Sequence, residues 1–204
     1  ALWTAESYQA VAGFGAGKTH AAIVRTLRMK LQYPRQNVAY YLPTYDLVRR
    51  IGFPRFAEQF EELGLRFKTN KADNVIELED AGTIIFRTLD TPERIIGYEV
   101  ADSIADELDT LKEDQAREAW NKIISRNRQK KPDGSLNTVG VATTPEGFRF
   151  VYDRWQRNPA AGYRVIKALP GAPRTIIQAG SAYWPRVAPE LDDGVMDTHF
   201  GYCF

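Results

Sequence analysis

The sequence predicts an α/β fold with a mainly parallel central sheet flanked by helices. Short apolar segments with strand character alternate with segments of helical periodicity along most of the chain, which is the pattern of a parallel sheet. A glycine-rich segment, residues 12–19, joins the first predicted strand to the first predicted helix. An acidic pair, Asp106 and Glu107, follows a later buried strand. Sheets of this kind bind ligands at the carboxyl ends of their strands.

The first half of the chain alternates regularly between the two kinds of element. The predicted elements are a strand at 8–11, a helix at roughly 18–32, a strand at 37–42, a helical stretch from 44 to 64, a β-hairpin of 75–78 with 83–88, and a short helix starting at 90–93. Thr44 is expected to cap the long helical stretch. Gly52 and Pro54 are expected to break it in two, and Gly64 to end it.

The second half continues the alternation. The predicted elements are a strand at 100–105, a helix through 124 that opens with a capping box at 110–113, a strand at 138–142, a helix around 148–155 and a strand at 163–166. After about residue 168, proline and glycine interrupt every short apolar run. We therefore expect one domain over 1–168 and an irregular extension or linker over 169–204.

Composition narrows the functional classes. The 204 residues are 44% apolar, which suits one domain with a hydrophobic core. The net charge of +1 gives no overall basic signature for nucleic acid. Cys203 is the one cysteine, which excludes an intramolecular disulfide and fits a reducing compartment. No apolar run approaches the ~20 residues that span a bilayer, so no membrane partner is expected.

The glycine-rich segment nearly matches the phosphate-binding P-loop pattern G-x-x-x-x-G-K-[ST], also called Walker A. Its predicted nucleotide-binding residues are Ala12, Gly13, Phe14, Gly15, Ala16, Gly17, Lys18 and Thr19. Small residues let backbone N–H groups turn inward around a polyphosphate, and the next helix directs its positive end at the anion. Lys18 is expected on the β/γ-phosphates and Thr19 on Mg²⁺, so ATP and Mg²⁺ are the predicted cofactors. A simple glycine turn is the alternative, but the strand before and the helix after favour a P-loop.

A P-loop predicts an acidic partner at the end of another strand, the Walker B position. Asp106 is expected to hold Mg²⁺, and Glu107 to orient the water that attacks the γ-phosphate. Such a pair is typical of hydrolytic ATPases. The alternative is that these carboxylates belong to an acidic loop before the next helix. The P-loop upstream favours the catalytic interpretation.

Two further features are compatible with nucleotide chemistry. Thr143 and Thr144 end the next strong strand. Their hydroxyls can form hydrogen bonds there that change with the nucleotide state; an ordinary strand-to-loop turn is the alternative. Phosphoryl transfer also needs a cation for the developing charge. Arg94 is the first candidate for this arginine finger, and Arg126 and Arg149 are weaker candidates.

Taken together, these segments resemble the ATPase domain of a large terminase, the DNA-packaging motor of tailed phages and related viruses. The residues that carry the resemblance are 12–19, 93–97 leading into 104–107, and 142–147, within a stretch of roughly 8–168. The resemblance implies a P-loop NTPase fold of the RecA-like (ASCE) type. It implies ATP hydrolysis that powers translocation of double-stranded DNA into a procapsid, in the host cytoplasm. The implied partners are the portal protein, the small terminase subunit and further copies of the chain in a ring, commonly a pentamer.

The resemblance also implies roles for single residues: Lys18 and Thr19 on phosphates and Mg²⁺, Asp106 on Mg²⁺, Glu107 as the catalytic carboxylate, and Thr143 and Thr144 in coupling. Phe14 is a departure, because many members carry an arginine in the P-loop. This departure favours Arg94 acting across a subunit interface. Members usually add a nuclease domain. This chain is too short to hold one, so nuclease activity is not expected.

Two other functions remain open at this stage. One is a helicase-like P-loop ATPase acting on nucleic acid, and the other is a non-hydrolysing, nucleotide-gated binding module. A basic cluster of Arg126, Arg128, Lys130 and Lys131 is a candidate DNA contact. Favourable interaction with the helix dipole explains the same cluster without DNA.

Overall fold

The fold is built on one mainly parallel sheet, as predicted. The computed structural model describes residues 6–11, 17–144, 146–158 and 163–167. The strands are β1 (Glu6–Val11), β2 (Val38–Leu42), β3 (Phe67–Asn70), β4 (Val75–Leu78), β5 (Gly82–Thr88), β6 (Asp102–Asp106), β7 (Thr138–Thr143) and β8 (Tyr163–Lys167). Their order across the sheet is β3-β4-β5-β2-β6-β7-β1-β8. The β3–β4 and β4–β5 pairs are antiparallel, and the others are parallel.

The helices connect these strands. They are α1 (Lys18–Gln32), α2 (Tyr45–Leu47), α3 (Phe53–Glu62), α4 (Glu113–Arg126) and α5 (Phe150–Tyr152). Single 3₁₀ turns lie at Pro92–Arg94 and Leu108–Thr110, and π-helical turns at Val48–Gly52 and Asp153–Arg157. Within the described ranges no helix is long and apolar enough to cross a membrane.

Both faces of the sheet are covered by apolar side chains, as a parallel sheet requires. Along β2, Ala39 and Tyr41 join the core beneath α4, whereas Tyr40 and Leu42 join the core beneath α1 and α3. This alternation follows from the two-residue period of a strand. Edge-to-face aromatic pairs fill both cores, with ring centroids 4.8 Å apart for Trp120 and Trp155 on one face. The sheet therefore holds β2 and β6 rigidly side by side.

The helical stretch after β2 starts and ends as predicted but is not broken. The Thr44 hydroxyl accepts a bond from the Leu47 N–H at 3.3 Å. At the other end Gly64 has a φ of 66°, and the Leu65 N–H donates to the Phe60 carbonyl. This is the Schellman ending that a glycine permits.

The predicted break at Gly52 and Pro54 is wrong. The Phe53 N–H bonds the Val48 carbonyl across a π turn, and α3 follows directly. Pro54 lies in the first turn of α3, where a missing N–H costs little. A Cβ on Gly52 would come within 2.8 Å of Leu42 Cδ1, so glycine lets this helix approach β2 closely.

The predicted capping box before α4 is also wrong. Helix α4 begins at Glu113 with Lys112 as its N-cap, and no side chain caps it. Thr110 instead belongs to the 3₁₀ turn after β6, where its hydroxyl donates to the Glu107 carbonyl at 2.7 Å. The Thr110 hydroxyl therefore bonds the nearer Glu107 carbonyl and does not cap α4.

The predicted hairpin is confirmed as the antiparallel pair β4–β5, but it has a third strand. Strand β3 pairs with β4, with Phe67 opposite Leu78. Strand β3 was not predicted from the sequence, although apolar Phe67 alternates with exposed Lys68 after the helix-ending glycine. The extension predicted for 169–204 lies outside the described residues.

Candidate active site

The carboxyl ends of β6 and β7 and the start of α1 meet at one place. Asp106 is the last residue of β6 and Thr143 the last of β7, and β7 lies between β6 and β1. Lys18 opens α1, which follows the segment leaving β1. The structure therefore brings together six of the predicted site residues, Lys18, Thr19, Asp106, Glu107, Thr143 and Thr144.

The end of the glycine-rich segment has the backbone that its motif needs. Gly17 has a φ of 83°, in the left-handed region that favours glycine. Its carbonyl accepts the first α1 bond, from the Ala21 N–H at 2.9 Å. The start of an α-helix favours an anion, because the N–H groups of its first turn and the helix dipole are directed there. The predicted nucleotide contacts of residues 12–16 lie outside the described residues.

Lys18 lies between the two strand ends. Its Nζ donates to the Thr144 hydroxyl at 3.0 Å and is 3.9 Å from Glu107 Oε1. The Lys18 side chain is 7% exposed. A nearly buried ammonium beside the catalytic candidates can neutralise the charge of a phosphate there.

Asp106 is buried and only half satisfied. Its Oδ2 accepts bonds from the Thr19 hydroxyl at 3.0 Å and from the Tyr40 hydroxyl at 2.8 Å. Its Oδ1 is buried with no hydrogen-bond partner among the described residues. Burial raises the pKa of Asp106 to about 6, against the lowering effect of the Tyr40 hydrogen bond.

The oxygens of the Asp106 carboxylate and the Thr19 hydroxyl fit Mg²⁺. A carboxylate with a spare oxygen and a hydroxyl on the next element are hard oxygen ligands of the type that Mg²⁺ prefers, together with substrate phosphates. Among the described residues no three acidic, histidine or cysteine side chains form a metal cluster by themselves.

Glu107 is held in a strained conformation. Its φ is 56°, in the left-handed region that non-glycine residues rarely adopt. The Thr144 N–H donates to Glu107 Oε2 at 3.1 Å, and the Glu107 N–H donates to the Ala142 carbonyl. The side chain is 27% exposed. The strained turn therefore directs a partly exposed carboxylate to the end of β7, a pattern found at functional sites.

Asp109 is a site residue that sequence reasoning missed. It is 1% exposed, its N–H donates to the Thr143 hydroxyl at 3.1 Å, and its Oδ2 accepts from the Glu146 N–H at 2.8 Å. Burial raises its pKa. Asp109 therefore ties the loop after β6 to the loop after β7. Its membership of an acidic run was visible in the sequence, but its partners lie 34 and 37 positions away.

Tyr40 was missed as well. It is fully buried on β2, and its hydroxyl donates to Asp106, 66 positions away. In the sequence Tyr40 is one of several apolar residues in a strand. Tyr40 lies opposite Ile104 in the parallel register of β2 and β6, and this register brings the Tyr40 hydroxyl to the Asp106 carboxylate.

The three candidate arginines lie in different places. Arg94 is exposed on the 3₁₀ turn Pro92–Arg94, and no described contact joins its side chain to Asp106 or Glu107. Arg126 ends α4, where its Nε donates to the Ser125 hydroxyl. Arg149 donates to the Asp109 carbonyl at 3.4 Å. Within one chain, Arg149 is thus the candidate connected to the site.

The basic cluster is smaller than its sequence indicates. Lys131 is buried, and its Nζ lies 2.8 Å from Asp102 Oδ1. Arg128 forms an exposed ion pair with Glu99 at 2.8 Å. Lys131 is therefore a structural ion-pair partner and does not belong to a DNA-binding surface.

Residues 10–179 match the family described as terminase large subunit, T4likevirus-type, N-terminal. The chain belongs to this family. No curated protein sequence matches it. The family assignment confirms the resemblance drawn from the three motifs.

Solved structures show the same fold. The large terminase from a thermophilic bacteriophage is 16% identical with a TM-score of 0.65, over 88% of this chain and 47% of that one. The ATPase domain of the Thermus phage P74-26 large terminase is 17% identical with a TM-score of 0.57, over 98% and 89%. The N-terminal domain of the DNA packaging ATPase from bacteriophage phi29 is 13% identical with a TM-score of 0.55, over 81% and 91%. The chain thus spans about half the length of the first of these proteins.

Proposed function

We propose that this terminase domain hydrolyses ATP and that hydrolysis powers translocation of double-stranded DNA into a procapsid. The observation that carries the proposal is the contact between Lys18, Glu107 and Thr144 at the carboxyl ends of adjacent parallel strands. This is where a nucleotide phosphate binds in such sheets. The large terminase of the thermophilic bacteriophage is described in complex with ADP and with ATP-gamma-S, which supports nucleotide as the ligand here.

In the proposed mechanism each of these side chains has one task. Lys18 neutralises the β/γ-phosphates, and Thr19 and Asp106 hold Mg²⁺. The bound metal supplies charge neutralisation on the phosphate oxygens. Glu107 orients the attacking water, since its carboxylate is partly exposed beside Lys18. Thr144 contacts both Lys18 and Glu107, so the loss of a phosphate contact moves the loop after β7 through Thr144. The contact between Thr143 and Asp109 extends this movement to the loop after β6.

The active form that we propose is a ring on the portal, commonly a pentamer, working with the small terminase subunit in the host cytoplasm. Arg94 supports a ring because it is exposed and has no described contact with the site of its own chain. Across an interface it can supply the cation that phosphoryl transfer needs. This arrangement makes hydrolysis dependent on assembly.

The test is Glu107→Gln in the motor assembled with DNA and portal. Glutamine keeps the size of the side chain and one acceptor oxygen but cannot act as a carboxylate, so ATP hydrolysis is expected to fall roughly 100-fold or more. Binding of a fluorescent ATP analogue is expected to stay within a factor of about three. Glu118→Gln, at an exposed position of α4, is the matched control and should keep wild-type hydrolysis.

Two results would contradict the proposal. Hydrolysis by E107Q at the wild-type rate would remove Glu107 from the mechanism. A wild-type motor that binds the nucleotide yet hydrolyses none, even with DNA and portal present, would instead be the non-hydrolysing, nucleotide-gated module.

A further inference from the structure

Asp106 receives two hydrogen bonds on the same oxygen, from two different elements. Thr19 on α1 and Tyr40 on β2 both donate to Oδ2, at 3.0 Å and 2.8 Å. Oδ1 is buried and has no partner in the described part of the chain. One carboxylate oxygen is therefore held by two protein donors, and the other has no described donor.

The two donors are not equivalent. Thr19 is itself a proposed metal ligand, so its hydroxyl oxygen is shared between Asp106 and the metal. The Tyr40 hydroxyl has Asp106 as its one described hydrogen-bond partner. A tyrosine hydroxyl is protonated at neutral pH, so it donates to the carboxylate. Among the residues that the structure describes, the Tyr40 hydroxyl therefore donates to Asp106 alone.

The position of Tyr40 is fixed by packing. The Tyr40 ring is fully buried, with the Phe56 ring 4.9 Å away edge-to-face and the Phe86 ring 5.8 Å away. Strand β2 is paired with β6 in parallel register up to Tyr41 and Ala105. Because neither ring nor strand can move far in a packed core, the hydroxyl stays within reach of Oδ2.

We propose that Tyr40 is a positioning residue of the metal site, which holds the Asp106 carboxylate through Oδ2 in the orientation that binds Mg²⁺. The inference rests on the proposed function, because it assumes that a Mg-nucleotide binds between Lys18 and Asp106. A carboxylate held by one shared donor can rotate about its Cβ–Cγ bond, whereas a second, dedicated donor fixes it. Outer partners of metal ligands act in this way, and their loss typically costs 10- to 100-fold in metal affinity.

The test compares Tyr40→Phe with Tyr41→Phe. Tyr41 is the neighbouring residue of β2 and equally buried, but its hydroxyl pairs with the Tyr98 hydroxyl at 3.0 Å on the other face of the sheet. Each variant thus loses one buried hydroxyl from the same strand. The probe is a fluorescent ADP analogue, titrated in EDTA and then at fixed nucleotide with increasing Mg²⁺.

We expect Y40F to bind the analogue in EDTA as the wild type does, within about twofold, and to need about tenfold more Mg²⁺ for half-saturation. Y41F should match the wild type in both titrations. Thermal unfolding monitors the fold of each variant. Tyr40→Met, which also lacks the hydroxyl and whose flexible side chain fills irregular gaps, gives a second measurement and should show the same rise.

Equal Mg²⁺ requirements in Y40F and Y41F would overturn the inference and leave the proposed function intact. A loss in Y40F that is as large in EDTA as in Mg²⁺ would also overturn it, because that pattern indicates a general structural role. A wild-type protein that binds no analogue in either condition would overturn the proposed function, and this inference with it.

Discussion

Glu107 combines the proposed catalytic carboxylate with an unfavourable backbone conformation. A φ of 56° costs a non-glycine residue roughly 1 to 2 kcal/mol, and the native fold retains it. The surrounding contacts hold the residue, since the Glu107 N–H bonds Ala142 and its carboxylate accepts from Thr144. The fold thus accepts a loss of stability at the residue whose position the proposed hydrolysis requires.

Glu107→Gly should therefore be more stable than Glu107→Ala by about 1 kcal/mol, because both lose the carboxylate but only glycine accepts this φ freely. Urea unfolding of the two variants measures the difference. At exposed Glu118 inside α4, the order should reverse, with alanine more stable than glycine by about 1 kcal/mol. Equal stability of E107G and E107A would contradict the assignment of strain.

Lys30 carries a buried ammonium near the end of α1. It is fully buried, and it donates to the Pro34 and Gln36 carbonyls. Burial lowers its pKa to about 8 from the 10.5 of an exposed lysine. The folded state releases this proton first, so between pH 8 and 10.5 the unfolded state binds more protons, and the free energy of unfolding rises with pH. The cost of burying the charge is full below pH 8 and vanishes above 10.5.

The wild type should accordingly gain about 1 to 2 kcal/mol relative to Lys30→Met as the pH rises from 8 to 10.5. This is less than the full shift in pKa would give, because the contacts of Lys30 with its two carbonyl partners are only partly buried. Urea unfolding at several pH values measures the difference between the two proteins. Lys68→Met, at an exposed site of β3, is the control for the removal of one lysine. A constant difference for K30M would refute the lowered pKa.

At the scale of elements, a buried ion pair joins the loop after α4 to the first residue of β6. Asp102 Oδ1 accepts from Lys131 Nζ, and also from the Thr138 N–H and hydroxyl at 2.9 Å and 2.7 Å. Thr138 is the register partner of Asp102. The pair therefore secures the alignment of β6 with β7, and through it the relative position of the two strand ends that form the site.

Lys131→Met should lower the free energy of unfolding by about 3 kcal/mol, because it leaves a buried carboxylate without its counter-ion. The double variant Asp102→Asn with Lys131→Met should lose less than K131M alone, since no buried charge then remains. Arg128→Met, which removes the exposed pair with Glu99 from the same loop, should cost under about 1 kcal/mol. Urea unfolding compares the three, and equal losses for K131M and R128M would disprove the role of burial.

Element boundaries were less predictable than the elements. The strands, the long helices and the ends at Thr44 and Gly64 follow from local periodicity and backbone preference. The predicted break at Gly52 and the predicted cap at Thr110 were wrong, and β3 was not predicted. In each case the outcome depends on a contact with another element or on a hydrogen bond that a motif does not specify, such as the approach of Gly52 to Leu42.

At the scale of the whole molecule, the proposed ring bears on which arginine serves the candidate site. Arg149 donates to a backbone carbonyl of the Asp109 loop, which suits a role in positioning that loop. Arg94 is exposed on its short turn, which suits a role at an interface. A site completed by a neighbouring copy is active only when assembled.

Arg94→Ala should reduce ATP hydrolysis of the assembled motor by about 1,000-fold, as expected for a missing arginine finger. Mixing R94A with E107Q, each inactive alone, should restore roughly a quarter of wild-type hydrolysis, because some R94A sites then receive Arg94 from an E107Q neighbour. Arg117→Ala, at an exposed arginine of α4 paired with Glu113, is the control and should stay active. Failure of the mixture to recover activity would argue against an arginine supplied between subunits.

Residue types at short spacing are enough to identify the family, the parallel sheet and the six clustered site residues. Gly17, Lys18 and Thr19 are adjacent, and Asp106 with Glu107 ends one strand, so local chemistry identifies them. Only the folded structure shows the hydrogen-bonded pairs that lie far apart in the sequence. These are Tyr40 with Asp106, Asp109 with Thr143 and Lys131 with Asp102, which are separated by 66, 34 and 29 positions. These pairs depend on strand order, register and burial. Many tyrosines, aspartates and lysines in a sequence are chemically equivalent until the packed sheet brings one of each within hydrogen-bond distance.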